Sequence, residues 1–211
     1  MNQTPTFQKL ITTARELADL IGVPSEVAVK KQQARLDQHM TNFISQSPFV
    51  LIGTVGQDGT CDVSPRGDAP GALARILDPG TLIIPERTGN RRADSLRNIL
   101  ETGRIGLLFL IPGLGETLRV NGRASVFRDD DLLASLTANG KQPLVGIGVH
   151  VEECFLQCAK ALIRSQLWQG IARHSSLPSF AQILMDQTQV PGHTVESLHQ
   201  AIEESYSRRL Y

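Results

Sequence analysis

The sequence lacks the features that mark several specialised classes of protein. Its longest apolar run, Ile105 to Ile111, has seven residues, whereas roughly 18 are needed to cross a bilayer. Three cysteines without a Cys-x-x-Cys pair are too few for a disulfide framework, so we expect reduced thiols. Basic and acidic residues number 21 each in the 211-residue chain. No net field exists to attract nucleic acid or a membrane surface, and we expect neither partner.

The first residues, MNQTPTFQKL, lack the basic flank and apolar core of a secretory signal, which favours a cytoplasmic protein. The chain has no GxSxG, HExxH, Walker or GxGxxG motif. Hydrolase, metalloprotease and nucleotide-hydrolysis functions therefore find no support in the sequence.

The apolar pattern predicts helices at both ends of the chain and strands between them. Residues 10–21 and 27–43 have helical spacing and form a predicted N-terminal helical region, 1–45. Asp58-Gly59 lies between FVLIGTV and CDVSPRGD and predicts a β-hairpin. A second hairpin is predicted from the strands IGLLFLI and ETLRVNGRASVF. Several short strands with glycine-rich turns favour a small antiparallel barrel over 46–170, with a helical tail over 171–211.

The segment ERTGNRRADSLR (86–97) combines a Gly-Asn turn, adjacent arginines and the start of a predicted helix. Backbone N–H groups at a helix start attract anions, and arginine binds phosphate with two hydrogen bonds. Asn90, Arg91 and Arg92 are therefore candidates for a phosphate site. The alternative is that these arginines form a solvated helix face.

The second strand of the first hairpin ends in Ser64-Pro65-Arg66-Gly67-Asp68. Proline cannot donate to a sheet and glycine permits close backbone approach, so we expect the strand to leave its regular pairing here. A planar ligand would then lie beside it. The alternative is a plain strand exit in which Arg66 and Asp68 pair with each other.

Two other groups invite a functional interpretation. His150, Cys154 and Cys158 are spaced by four, which on a helix would place them on one face as a metal or redox site. Buried thiols beside a hydrogen-bonded histidine are the alternative. Trp168, the single tryptophan, suits a cofactor cover, a subunit contact or ordinary core burial.

Four segments in order, FVLIGTVGQDGTCDVSPRGD, TGNRRADSLRNIL, IGLLFLIPGLGETLRVNGRASV and ECFLQCAKALIRSQLW, resemble the pyridoxamine 5'-phosphate oxidase-like flavin-binding split-barrel family. The resemblance covers about residues 30 to 170 and is greatest with the branch that has the Ser-Pro-Arg-Gly-Asp strand. It implies a mainly β protein with flanking helices: a six-stranded antiparallel split barrel that forms a homodimer and binds FMN in clefts at the dimer interface.

The resemblance also implies roles for individual residues. Asn90, Arg91 and Arg92 match the loop that holds the FMN phosphate. The residues that match the strand beside the isoalloxazine ring are Ser64, Pro65, Arg66 and Gly67. The remaining candidates are Arg119 or Arg66 at the N1 to C2 edge of the flavin, and Arg164, Ser165 and Trp168 in a wall of the site.

The implied function is an FMN-dependent oxidoreductase that transfers hydride or electrons through the flavin, with a small-molecule substrate or a nicotinamide electron donor as its partner. The chain ends in SLHQAIEESYSRRLY instead of the segment with which the B6 oxidases grip the substrate phosphate, so the substrate stays open. A non-catalytic flavin-binding redox sensor is one alternative, and a haem-binding relative with His150 as ligand is another. A deazaflavin could also replace FMN.

Overall fold

The computed structural model describes residues 7–169, 177–189 and 191–208, and the end of the chain with Arg209 lies outside them. The chain divides into two compact units at Gln32 and Gln33. The first unit contains helices α1 (Ala14–Ile21) and α2 (Glu26–Lys30). The hydroxyl oxygen of Thr13 accepts a hydrogen bond from Glu16 N and caps α1.

The single helix predicted over 27–43 is wrong, because α2 ends at Lys30 and a separate helix, α3 (Gln38–Gln46), begins at Asp37. The Asp37 carboxylate accepts a hydrogen bond from Met40 N at 2.8 Å and fixes the start of α3. Before it, Gln33 exchanges backbone hydrogen bonds with Cys154. Gln33 thus pairs with β7 in the segment between the two helices.

The second unit is built around one antiparallel sheet of seven strands. In chain order the strands are β1 (Phe49–Val55), β2 (Cys61–Gly67), β3 (Arg75–Asp78), β4 (Thr81–Pro85), β5 (Arg104–Leu110), β6 (Thr117–Phe127) and β7 (Gly146–Gln157). Their order in the sheet is β2-β1-β5-β6-β7-β4-β3. Both predicted hairpins are confirmed, with Val55 opposite Cys61 in the first and Leu110 opposite Thr117 in the second.

The expected mainly β antiparallel fold with flanking helices is confirmed, but the expected six strands need correction: the described residues form seven strands in a sheet whose two edges, β2 and β3, are not hydrogen-bonded to each other. The additional strand is β3, which has only four residues with a charge at each end. A segment that short carries too few alternations to be recognised from the sequence.

The core lies on the concave face of the sheet, under α3 and α4 (Asp94–Thr102). Every second residue of β1 and of β5 is buried there, as alternation along a strand requires. The largest fully buried side chains include Phe109, Ile52, Leu107 and Leu118.

Short helices complete the unit: α5 (Asp130–Ala134), α6 (Lys160–Ser165), α7 (Phe180–Thr188) and α8 (Val195–Arg208). In the described part of the tail predicted over 171–211, α7 and α8 are helical as expected. Strand β7 continues to Gln157. None of the described helices is long and apolar enough to cross a membrane.

Candidate cofactor site

Strand β2 forms one edge of the sheet, and its two faces differ in character. Cys61, Val63 and Pro65 point outward and are exposed, whereas the intervening side chains are partly buried. The inward-facing side chains, which we call the polar row of β2, are those of Asp62, Ser64, Arg66 and, just beyond the strand, Asp68. Hydrophobic residues normally occupy such positions, so a polar row has to bind polar partners.

The expectation that β2 leaves its regular pairing at the proline is wrong. Pro65 lies opposite Leu51, and the pairing with β1 continues to Gly67. An edge strand tolerates proline, because the missing N–H is not needed by a second neighbouring strand.

Two ion pairs join the end of β2 to the residues that follow β4. The Arg66 guanidinium donates to Glu86 from Nε at 3.0 Å and from Nη2 at 3.3 Å. Arg87 donates to Asp68 Oδ2 from Nε at 2.8 Å, and its Nη1 donates to Leu136 O at 2.9 Å. We call Arg66, Asp68, Glu86 and Arg87 the ion-pair cluster. The expected alternative, a pair between Arg66 and Asp68, is not formed.

The ion-pair cluster is shielded from solvent. The side chain of Asp68 is 2% exposed and that of Arg87 13% exposed, and the pair of Arg66 and Glu86 is nearly as well covered. Charge pairs at this depth are screened little by salt and depend on complete hydrogen bonding.

The loop after the ion-pair cluster leads to the start of α4 with an unusual backbone. Arg91 has φ 63° and Ala93 has φ 57°, a region that non-glycine residues seldom adopt. Ala93 precedes α4 without a side-chain cap, so the first N–H groups of the helix have no capping oxygen. Asn90 Oδ1 accepts a hydrogen bond from Arg92 N at 3.0 Å and fixes the turn.

The arginines of this loop differ in their partners. Arg92 Nε donates to Asp94 Oδ2 at 2.8 Å, and this hydrogen bond raises the pKa of the Arg92 guanidinium. Arg91 is exposed, and within the described residues no hydrogen bond or ion pair engages its side chain. The same holds for Arg97, one turn into α4.

Helix α4 is fixed to β1 and β2 by Asn98, a residue that sequence reasoning did not single out. Its Nδ2 donates to Thr54 Oγ1 at 3.1 Å and to Asp62 Oδ2 at 2.8 Å. The sequence signal was the position of Asn98 among the apolar residues of an amphipathic helix, where a polar side chain needs buried partners.

A groove of about 600 Å³ lies between α4 and the β1–β2 hairpin. The charged side chains in its wall are those of Asp58, Asp62, Asp94, Arg97 and Glu101. Hydrogen bonds from the Thr60 backbone N–H and hydroxyl lower the pKa of the Asp58 carboxyl. The groove is therefore anionic and does not suit a phosphate, whose candidate ligands Asn90, Arg91 and Arg92 lie outside its lining.

Arg119 lies on the opposite, convex face of the sheet. One row across the strands contains Pro65, Leu51, Leu108, Arg119 and Phe155. The Arg119 guanidinium is 4.4 Å from the Phe155 ring centroid, and its Nη2 donates to Glu153 at 2.6 Å. Its Nε is buried without a hydrogen-bond acceptor among the described residues, which leaves one donor available for a ligand.

The third group of candidates follows β7. Arg164 and Ser165 end α6 and are exposed. Trp168 is 36% exposed, which excludes ordinary core burial, and its Nε1 donates to Leu114 O at 2.8 Å in the turn between β5 and β6. An exposed indole fixed at one end suits a contact surface.

His150, Cys154 and Cys158 do not form a common site. They are not on a helix: His150 and Cys154 belong to β7, where His150 is exposed and Cys154 is buried. Burial raises the pKa of the Cys154 thiol to about 11, with smaller contributions from Asp37 and Glu153. In the described part of the chain, no three His, Cys, Asp or Glu residues are grouped to hold a metal ion.

Comparison with protein families identifies residues 36–158, more than half of the chain, as matching the family described as pyridoxamine 5'-phosphate oxidase. The chain belongs to the pyridoxamine 5'-phosphate oxidase-like family. The match spans all seven strands and α4, so the polar row of β2, the ion-pair cluster and the loop 88–93 before α4 all belong to the family domain. Comparison with curated proteins gives no match.

Several solved structures are similar to this member of the family. HupZ of Group A Streptococcus is 20% identical, with 58% of this chain and 94% of that chain covered at a TM-score of 0.48. A candidate pyridoxamine 5'-phosphate oxidase from Lactobacillus delbrueckii is 25% identical over 58% and 95% of the two chains, at 0.46. HutZ, a haem storage protein from Vibrio cholerae, is 13% identical over 59% and 94%, at 0.42.

Within the family domain, the structure brings some of the sequence candidates together and separates others. Arg66 is linked through Glu86 to the chain that leads into the loop of Asn90, Arg91 and Arg92. Arg119 lies three strands from β2 on the convex face, and Trp168 lies beyond the end of β7. One protomer therefore presents two groups of candidate ligands on different faces of the sheet.

Proposed function

We propose that this member of the pyridoxamine 5'-phosphate oxidase-like family is an FMN-dependent oxidoreductase. The observation that carries the proposal is the start of α4, which no side chain caps, where Arg91 and Ala93 hold left-handed backbone conformations and the exposed Arg91 side chain has no partner among the described residues. Strained backbone that the fold maintains at a polar surface is typical of ligand sites. Family membership directs this inference to a phosphorylated flavin.

The phosphate of FMN suits this loop chemically. Free N–H groups and the dipole at the start of α4 favour an anion, and Arg91 adds a charged donor. Arg92 is exposed and pairs with Asp94, and it would exchange that carboxylate for phosphate at little cost, because exposed ion pairs contribute at most about 1 kcal/mol.

The isoalloxazine ring is proposed to lie against β2 near Ser64 to Gly67. A cation beside the N1 to C2 edge would stabilise the anionic reduced ring. Two arginines are candidates, and they differ in how many of their N–H groups remain free to bind a ligand. Arg66 uses its guanidinium for Glu86 and for Pro65 O, whereas Arg119 retains a buried Nε without an acceptor among the described residues. When bound, FMN supplies the hydride or electron transfer.

A homodimer is part of the proposal, because the candidate ligands lie on two faces of one protomer. A second copy on the convex face would bring its Arg119 and Trp168 toward the β2 edge of the first. Exposed apolar side chains at this face, among them Val63 at 69% and Phe49 at 37%, suit burial against a partner.

The first experiment is a visible absorption spectrum of the purified protein, then addition of FMN and removal of the excess by gel filtration. Retention of about one flavin per chain, followed by reduction with NADH or NADPH, would support the proposal. Bound flavin that no nicotinamide reduces would favour the redox sensor. A Soret band on haem titration that Cys154→Ala retains and His150→Ala abolishes would favour the haem-binding alternative.

Failure to retain FMN would direct the search to a deazaflavin, tested by the same gel filtration. The molar mass from light scattering with and without FMN tests the homodimer. A monomer that still binds flavin would contradict the shared site.

A further inference from the structure

We propose that Asp68 and Arg87 are positioning residues that hold the arginine loop, residues 88–93, at the end of β2. The inference rests on the proposed function, because the loop is the candidate site for the FMN phosphate. Neither residue is assigned to contact the cofactor.

The buried pair fixes the first end of the loop. Arg87 immediately precedes it and makes hydrogen bonds to two anchors: Nε donates to Asp68 and Nη1 donates to Leu136 O, while Nη2 lies 2.7 Å from Asp68 Oδ2 in the ion pair. Asp68 is fixed in turn, since its N–H donates to Pro48 O and its Oδ1 accepts from Ala69 N. A guanidinium held by two rigid groups leaves its own backbone little freedom.

The second end of the loop is fixed by α4. Asn98 donates to Asp62 at the start of β2, while Glu86, just before Arg87, is bound by Arg66. The polar row of β2 thus binds the chain on both sides of the loop, through Asp62 at one end and through Arg66 and Asp68 at the other. Six residues fixed at both ends can keep strained conformations such as those of Arg91 and Ala93.

The alternation of the polar row explains why these partners come from one strand. Residues two apart on a strand point to the same face, so Asp62, Arg66 and Asp68 all face the concave side of β2. Arg66 is positive and faces the negative Glu86, whereas Asp68 is negative and faces the positive Arg87. A shift of the loop by one residue would place like charges together, so the ion-pair cluster sets its register.

The test compares Asp68→Asn with wild-type protein by two measurements. Asn keeps the shape of the side chain and removes the charge that holds Arg87. Titration with FMN and with riboflavin, which lacks the phosphate, is expected to show FMN binding weakened about tenfold and riboflavin binding unchanged. Hydrogen–deuterium exchange of the flavin-free protein is expected to rise in peptides over 86–97 and to stay unchanged over β5 and β6.

The matched control is Asp78→Asn. Asp78 also pairs with an arginine, Arg35 at 3.6 Å, and accepts a backbone hydrogen bond from Gly80 N, but it is half exposed at the other edge of the sheet. In this variant, neither the affinity for FMN nor the hydrogen–deuterium exchange over 86–97 should change. If Asp68→Asn does not fold, Arg87→Lys replaces it, since lysine keeps the charge but cannot reach Asp68 and Leu136 O together.

Equal weakening of FMN and riboflavin, or unchanged FMN affinity, would overturn the positioning role. If wild-type protein binds neither flavin, the proposed function fails, and amide exchange alone then decides whether Asp68 and Arg87 hold the loop. Unchanged exchange over 86–97 in Asp68→Asn would overturn the inference in that case too.

Discussion

The two halves of the segment 86–97 both contain arginines, but the arginines of the two halves have different environments. In the first half, Arg87 is 13% exposed and has all its partners inside the fold. In the second half, Arg91 and Arg97 are exposed, and no partner engages them within the described residues. The difference shows that an arginine-rich segment can be structural at one end and available for a ligand at the other.

The physical origin of the difference is what each half faces. The first half follows β4 and faces the polar row of β2, where Arg66 and Asp68 provide charges of opposite sign for Glu86 and Arg87. The second half turns outward at Arg91 and continues into an exposed face of α4. The same contrast separates two cysteines, since Cys154 is buried in β7 and Cys61 is exposed at the start of β2.

The largest expected effect is on the free energy of unfolding, and it comes from Arg87 in the first, buried half of the segment. Arg87→Ala leaves the Asp68 carboxylate buried without its partner, which should lower the free energy of unfolding by about 3 to 5 kcal/mol. Urea denaturation measures the change. Arg123→Ala is the control, because this exposed arginine pairs with Glu152 and should cost less than about 1 kcal/mol. Equal losses in the two variants would remove the distinction between anchored and exposed arginines.

The next largest effect is on FMN binding by the second, exposed half of the segment 86–97. Replacing Arg91 and Arg92 together with alanine should weaken FMN binding by about 1.5 to 3 kcal/mol for each charged hydrogen bond lost. The free energy of unfolding should stay within about 0.5 kcal/mol of wild type, since both side chains are exposed. Flavin fluorescence titration and urea denaturation check the two halves of this prediction. An unchanged FMN affinity would place the phosphate site elsewhere.

A smaller effect distinguishes the two arginines proposed for the flavin ring. Arg119→Ala should lower the reduction potential of bound flavin by about 30 to 60 mV, the equivalent of one charged hydrogen bond in a two-electron couple. Arg66→Ala should also lower it, but by less, because the Arg66 guanidinium already donates to Glu86 and Pro65 O, whereas Arg119 Nε has no acceptor among the described residues. Spectroelectrochemistry of both variants gives the order, and the reverse order would assign the role to Arg66.

The smallest effect concerns the thiol of Cys154. The thiol pKa of Cys154 is raised from 9.0 to about 11, so the folded state holds this proton more tightly than the unfolded chain. Its contribution to stability is complete below pH 9 and is lost as the pH rises through 11. The free energy of unfolding should therefore fall less steeply over this range in Cys154→Ala than in wild type. Parallel curves would show that the Cys154 thiol does not contribute.

Much of the sheet could be predicted from the sequence, because its strands carry strong local signals. The Asp58-Gly59 turn and the apolar run of β5 each specify their element without reference to distant residues. Strand β3 and the break between α2 and α3 could not be predicted. Both depend on partners far along the chain, such as Cys154 for Gln33.

For the candidate site, the sequence identified residue types and missed their pairing. The notion of a phosphate loop at Asn90 to Arg92 follows from local motifs, and it stays a prediction until flavin binding is measured. That Arg66 binds Glu86 rather than Asp68 depends on how the two ends of the sheet approach each other. No spacing along the chain encodes that approach, so the ion-pair cluster becomes visible only in three dimensions.

The ion-pair cluster also links the β2 edge of the sheet to the chain after β4 through side chains alone. A hydrogen-bonded closure would fix β2 in steps of two residues, because alternation permits no smaller shift. A link of four charged side chains depends on no strand pairing, so a single substitution in it acts on the link and not directly on the backbone hydrogen bonds of the sheet. The arginine loop lies directly beside the link, so its geometry can change without any change in the sheet that supports it.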